Sequence, residues 1–179
     1  AHRKPLIPKQ IFMSQTLRPP ENGGRARAIP LAPASHPPLD EHTCLIGLRW
    51  KAAGYLTLDN KGKIVAPPLE QKPGLYSIRM INPDGIEHRY IGESDSLRRR
   101  FGNYRNPGPT QSTSIRINAQ IINLLRGGGA AVVMIATDLW LGHESAVLDI
   151  DLREKSVRRL FENLAISLDA SRGIQSLNL

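Results

Sequence analysis

The spacing of apolar positions changes period along this chain, and each change marks an element. Leu75, Ile78, Met80 and Ile81 outline an apolar strand just after Pro73-Gly74, and Asn82-Pro83-Asp84-Gly85 follows at once. Proline presets φ at the second position of a turn, aspartate suits the third, and glycine takes the left-handed fourth. The tetrapeptide therefore predicts a type I turn with a G1 bulge and a β-hairpin. A three-residue loop, Pro83-Asp84-Gly85, sets Asn82 opposite Ile86 and Tyr90 opposite Ile78. Side chains alternate with period two, so Tyr76, Ile78 and Tyr90 then share one face, whereas a two-residue loop would separate the phenols.

After Gly92 the spacing becomes helical, with Ser94, Asp95 or Ser96 available as N-cap. Leu97 and Phe101 fall four apart and should pack inward, while Arg100 and Tyr104, also four apart, share a neighbouring face. Proline, glycine and small polar residues between Arg105 and Ser114 predict a polar loop. From Ile115 the positions Ile117, Ile121, Ile122, Leu124 and Leu125 are helical and stop at Gly127-Gly128-Gly129. The continuous apolar run Ala130 to Ala136 reads as a central strand, and Arg153 to Leu168 as a last amphipathic helix. Residues 73–179 are thus expected to form an α+β domain: a three-stranded, mainly antiparallel sheet flanked by helices.

Two further segments precede it. Over 40–72 the pattern predicts a short helix, capped by Asp40, carrying Leu45, Ile46, Leu48, Trp50 and Ala53, and ended by Gly54. A second hairpin follows, Tyr55 to Leu58 and Lys63 to Val65 around Asp59-Asn60-Lys61-Gly62. Residues 1–39 are proline-rich and basic, with Arg3, Lys4, Lys9, Arg18, Arg25 and Arg27 opposed by Glu21 alone. They read as an extended arm, either a leader or a segment that tracks DNA backbone or a partner.

Charge narrows the partners. The chain has 24 Lys+Arg against 16 Asp+Glu, a formal charge of +8, which suits a polyanion and equally suits ribosomal or membrane-surface proteins. One cysteine, Cys44, leaves no intrachain disulfide framework, and the five histidines lack zinc-ligand spacing. No apolar run approaches the roughly 18 residues of a membrane span, and the N-terminus lacks the apolar core of a secretory signal. The expected location is the cytoplasm, although export of a toxin by a signal-independent route would leave the same composition.

A guanidinium and a phenol at one helix edge, beside two more phenols, suit a phosphate. Gly74-Leu75-Tyr76 and Tyr90-Ile91-Gly92 resemble the two signature triplets of the GIY-YIG nuclease superfamily, whose members cut DNA with a divalent metal. The resemblance extends to Arg100, ten residues after the second tyrosine, where the family has a catalytic arginine, and to Tyr104, four further on, where it has histidine or tyrosine. Leu160-Phe161-Glu162-Asn163-Leu164-Ala165-Ile166 resembles the segment bearing the metal-binding glutamate, and Asn178 stands near the family's terminal asparagine. Glu93 departs from the pattern, because some repair-type members have lysine there to lower a phenol's pKa.

The resemblance implies a metal-dependent endonuclease acting on DNA, expected to be double-stranded. Tyr76, Tyr90, Arg100, Tyr104 and Glu162 form the catalytic set, and Glu162 is the metal ligand. One carboxylate as main ligand calls for a hard, hydrated ion, Mg²⁺ or Mn²⁺. Arg99, Arg105, Asn106, Gln111, Arg116 and Asn178 are the candidate phosphate and base contacts. A site-specific restriction-type enzyme is the first expectation, beside a nuclease toxin, a repair nickase, or an inactive DNA-binding protein of the same fold. One active site cuts one strand, so double-strand cleavage requires a homodimer or two successive nicks. Which phenol serves as the base stays open.

Overall fold

The structure, a computed structural model, describes residues 44–143, 146–148 and 150–178, so the arm expected over 1–39 and the helix cap expected at Asp40 lie outside the described residues. In chain order the elements are β1 Cys44–Leu48, β2 Lys51–Leu58, β3 Ile64–Val65, β4 Gly74–Ile81, β5 Glu87–Ser94, α1 Leu97–Arg105, α2 Ser112–Arg126, β6 Ala130–Ala136, β7 Leu139–His143, β8 Ala146–Leu148, α3 Lys155–Ser171 and β9 Gln175–Ser176. Among the described residues no helix is long and apolar enough to cross a membrane.

The turn behaves as its residue types require. Gly85 N–H donates to the Asn82 carbonyl (3.0 Å), Asn82 N–H donates to the Ile86 carbonyl (3.0 Å), and Gly85 takes a left-handed φ of 83°. The Asn82 side chain adds a bond by accepting from the Ile86 N–H at 2.7 Å. These contacts set the register of β4 against β5, with Ile78 opposite Tyr90 and Tyr76 opposite Gly92. Both phenols therefore lie on one face, as the three-residue loop demands.

The fold is α+β. Strands β6, β4 and β5 make the expected antiparallel trio, and further strands extend it to six in the order β3-β2-β6-β4-β5-β9, with Ala130–Ala136 well inside the sheet. Strand β9 runs parallel to its neighbour β5. On one face Tyr76, Ile78, Met80, Tyr90, Ala131 and Val133 are buried together with Leu97, Phe101 and Tyr104 of α1 and Ile117 and Ile121 of α2. The opposite face buries Leu75 and Ala136 under Phe161 of α3, with Trp50, Leu139 and Val157 packed around them. At roughly 1.5–3 kcal/mol for each large apolar side chain removed from water, these layers dominate the folding free energy.

The short helix expected over 40–53 is absent within the described residues, where β1 and β2 stand instead. Its apolar positions fit helical spacing, but β1 pairs with β7 and β2 with β6, and those ladders override a local preference of a few tenths of a kcal/mol per residue. Gly54, read as a helix stop, has φ of 138° and lies at the irregularity in β2 between Ala52 and Gly54. The second hairpin forms as predicted, with Leu58 opposite Ile64. Helix α2 begins at Ser112, two residues inside the predicted loop. Strand β7 also carries β8, making a second, three-stranded sheet with β1.

The C-terminal segment is tied to β5. The Arg89 guanidinium bridges Glu87 (2.7 Å) and the buried Asp169 of α3 (2.9 Å), and Leu177 N–H donates to the Arg89 carbonyl (2.8 Å). The Asn178 side-chain amide accepts from the Ile91 N–H (2.8 Å) and donates to the Ile91 carbonyl.

Replacing Gly85 by valine places a β-branched residue at φ 83°, where a Cβ meets no neighbour but the backbone itself is strained. The expected cost is about 1–2 kcal/mol, read as a shift of the urea midpoint without a change in slope.

Candidate active site

The site is built on the absence of a side chain at Gly92. A Cβ there would lie 2.2 Å from Tyr76 Oη and 2.4 Å from Cζ, so the glycine leaves the space across which the Tyr76 ring reaches from β4 over β5. Tyr76 and Tyr90 rings lie 6.2 Å apart, and Tyr104 meets each edge-on at 6.1 and 6.4 Å. Ser96 caps α1 by accepting from Arg99 N–H, which starts the helix where Leu97 and Phe101 point into the core and Arg100 and Tyr104 face the phenols.

Arg100 Nε donates to Tyr76 Oη at 2.8 Å, its Nη1 donates to Ser114 Oγ at 3.2 Å, and its guanidinium carbon lies 4.6 Å above the Tyr104 ring centroid. Tyr104 is fully buried, and its hydroxyl lies 2.7 Å from Tyr76 Oη. Among the described residues this is the hydroxyl's one hydrogen-bond partner, so Tyr104 donates and Tyr76 accepts. Tyr76 Oη then receives two bonds, from Arg100 and Tyr104, while its own proton is free to face the adjacent cavity. Tyr104 is not among the residues lining that cavity; its hydroxyl meets Tyr76, which does line it.

Burial pushes the Tyr76 phenol well above the ordinary tyrosine range, Tyr90 adds to the rise, and Arg100 with the Tyr104 hydrogen bond pulls against it. Burial, then Tyr76, raises Tyr104 further still. For Arg100, burial opposes the charge, but the phenols Tyr76 and Tyr104 more than compensate and hold it protonated. The site at rest is a cation among neutral phenols.

A cavity of about 440 Å³ opens beside this group, lined by Tyr76, Tyr90 and Arg100 on one side and by Glu93, Arg158 and Glu162 on another. Glu93 pairs in register with Leu75 and therefore faces α3, away from the Tyr90 face of β5. Its carboxylate accepts from Arg158 Nε at 2.6 Å, a pair whose side chains are 15% and 5% exposed. Arg158 Nη1 also donates to the Leu152 and Arg153 carbonyls at 2.8 and 2.7 Å. The departure at Glu93 is thus matched within this chain by a buried arginine. Glu162 is half-buried, and its carboxyl is raised by burial and then by Glu93, while the Glu93 N–H, Arg159 and Arg100 oppose the rise.

Of the residues expected to touch nucleic acid, Arg99 lines the cavity, paired with the exposed Asp95. Each of the others is engaged elsewhere. Arg105 donates to the Ile64 carbonyl and to Asp59 (both 2.6 Å), and Asn106 caps α1 and accepts from Lys63 Nζ at 2.8 Å. Gln111 is the N-cap residue of α2 and accepts from Gly108 N–H at 3.2 Å, Arg116 donates to the Leu177 carbonyl at 3.0 Å, and Asn178 pairs with Ile91. The sequence reading missed Asn103, Lys155, Arg158 and Arg159, all on the cavity. For the three on α3 the signal is the spacing of Lys155, Arg158, Arg159 and Glu162 along one face of the helix, whereas Asn103 lies on α1.

Among the described residues there is no group of three or more His, Cys, Asp or Glu able to enclose a metal. The cavity nevertheless offers Glu162, with Glu93 beside it. That donor set fits a hard ion that keeps most of its water and does not fit a closed zinc centre.

Gly92→Ala should cost on the order of 1–3 kcal/mol, because Tyr76 has no room to retreat within the core; urea unfolding measures it. Glu162 carries the opposite signature. Its folded pKa lies above its ordinary value of 4.5, so its favourable contribution is complete below pH 4.5 and is lost as pH rises through the folded value. Glu162→Gln should therefore melt higher than the wild type at neutral pH, and the two curves should converge below pH 4.5.

No family model matches the sequence, and no curated protein matches it. Among solved structures the chain is similar to a mutant form of bacteriophage T4 EndoII, with a TM-score of 0.47 and 24% identity over 66% of this chain and 86% of that one.

Proposed function

We propose that this protein is a divalent-metal-dependent DNA endonuclease of the GIY-YIG type, acting as a site-specific restriction-type enzyme. The observation that carries the reading is the junction at Tyr76 Oη, where Arg100 Nε (2.8 Å) and Tyr104 (2.7 Å) converge on one phenol at the wall of a cavity that also presents Glu162.

Hydrolysis of a phosphodiester needs an oriented water, a group to take its proton, and positive charge for the phosphoryl oxygens. A planar guanidinium matches two phosphate oxygens, and Arg100 supplies it at the cavity edge. A bound Mg²⁺ or Mn²⁺ would supply Lewis-acid charge and would lower the pKa of acids beside it. Glu162 would hold the ion, while its neighbour Glu93 is paired with Arg158.

Between the two signature phenols the geometry favours Tyr76 as base. Its anion would keep the two donors already present, whereas no hydrogen bond to the Tyr90 hydroxyl occurs among the described residues. Tyr76 first gives up its own proton to solvent through the cavity, and the phenolate, held by Arg100 and Tyr104, then takes the proton of the attacking water while Arg100 balances the charge on phosphorus. The P–O bond opposite the water breaks, and the leaving oxygen departs with a proton from solvent. Tyr90 packs against Tyr76 and limits where that water can sit. Tyr104 is a positioning residue in this scheme, acting through Tyr76. One site cuts one strand, so duplex cleavage proceeds through a homodimer or through two nicks.

Supercoiled plasmid incubated with Mg²⁺ or Mn²⁺ tests the reading. Wild type should give discrete fragments, Arg100→Ala should be slower by on the order of 10²–10³, and Glu162→Ala should be inactive. Equal conversion by all three proteins would remove the catalytic assignment. Smearing would favour a toxin, a nick without linear product a repair nickase, and no conversion with either metal a DNA-binding protein without activity.

A further inference from the structure

Tyr76, Arg100 and Glu162 account for the proposed chemistry but leave the two walls of the cavity without a role. One wall is α1, where Arg99 and Asn103 lie four residues apart; the other is α3, where Lys155 and Arg159 also lie four apart. That spacing puts each pair on one side of its helix. Lys155 and Arg159 are exposed, and among the described residues neither forms an ion pair. Arg99 pairs with Asp95, but both side chains are more than half exposed, so the pair is weak and exchangeable. Of the other acids lining the cavity besides Glu162, Asp95 is the partner of Arg99 and Glu93 is held by Arg158.

The lining is as informative for what it offers a base. Its aromatic members are Tyr76 and Tyr90, 1% and 6% exposed, with their rings packed inward. Stacking a nucleobase requires an open aromatic face, which the cavity does not provide. Its accessible groups are guanidinium, ammonium, amide and carboxylate.

We infer that the groove between α1 and α3 is a track for nucleic-acid backbone: Arg99 and Asn103 on one wall and Lys155 and Arg159 on the other grip the phosphates flanking the one that is cut, without touching a base. This deepens the endonuclease reading and rests on it. It assigns the cavity a substrate chemistry, successive phosphodiesters of any sequence, and places sequence discrimination on another surface of the protein.

The salt dependence of binding tests the track. Affinity for short duplexes of two unrelated sequences is measured by fluorescence anisotropy in EDTA over a salt series, for wild type, the double variant Lys155→Ala/Arg159→Ala, and a control, Lys51→Ala/Arg172→Ala, at exposed positions outside the cavity lining. Thermal melting of each variant near the wild-type value establishes that all are folded. Losing two phosphate contacts should reduce the slope of log K against log salt by about 1.8, at roughly 0.9 per contact, equally for both sequences, while the control keeps the wild-type slope. An unchanged slope in the double variant, a change confined to one sequence, or an equal change in the control overturns the inference. Plasmid conversion by wild type is run in parallel. Conversion with an unchanged slope removes the backbone track alone, whereas absence of conversion removes the nuclease reading on which it stands.

Discussion

A side chain on a strand has two possible faces, and a slip of one residue exchanges them. Everything at the candidate site hangs on that constraint. Three residues, Pro83, Asp84 and Gly85, set the register of β4 against β5, and the register places Tyr76 and Tyr90 under α1 while Glu93 falls under α3. With one residue fewer in the loop, Tyr90 would face α3 and Glu93 would face α1, leaving a carboxylate where the phenols now gather. The sheet also divides the labour of the two layers. The α1 side gathers phenols around a cation, and the α3 side brings Glu93, partnered by Arg158, beside Glu162, which forms no ion pair among the described residues.

Burying so many polar atoms is tolerable because they satisfy one another. Tyr104 donates to Tyr76, Arg100 binds Tyr76 and Ser114 and covers the Tyr104 ring, and Arg158 binds Glu93 and two carbonyls. In a low-dielectric interior each of these bonds is stronger than in water, and each missing partner is more costly. Glu162 stands apart, since its carboxyl is half-buried and raised by its surroundings.

The parts of this architecture legible in the sequence are those set by short-range rules. The turn, the start of α1 among three candidate caps of which Ser96 serves, the stop at Gly127 and the central strand follow from residues within a few positions of one another. Strand β1 and the first half of β2 were illegible because their partners, β7 and β6, lie far along the chain, and the apolar spacing of Leu45, Ile46, Leu48 and Ala53 satisfies a helix equally well. The same contrast divides the site. Tyr76, Tyr90, Arg100 and Tyr104 were legible through period two and period 3.6. Arg105, Arg116 and Asn178 look like free donors in sequence, but their acceptors are Ile64, Leu177 and Ile91, which only the fold supplies. Conversely, Lys155, Arg158 and Arg159 lie in a segment that the sequence marks only as an amphipathic helix, and their place on the cavity follows once α3 is laid against β5.

The amide of Asn178 has a consequence for how the molecule behaves in company. Strand β5 forms the wall of the site, and its outer edge would otherwise present free N–H and C=O groups able to recruit a strand from another chain. Strand β9 and the Asn178 amide occupy that edge at His88, Arg89 and Ile91. Residues 175–178 thus act as a built-in blocking strand beside the tyrosines, denying intermolecular β-pairing the place where it would do most damage.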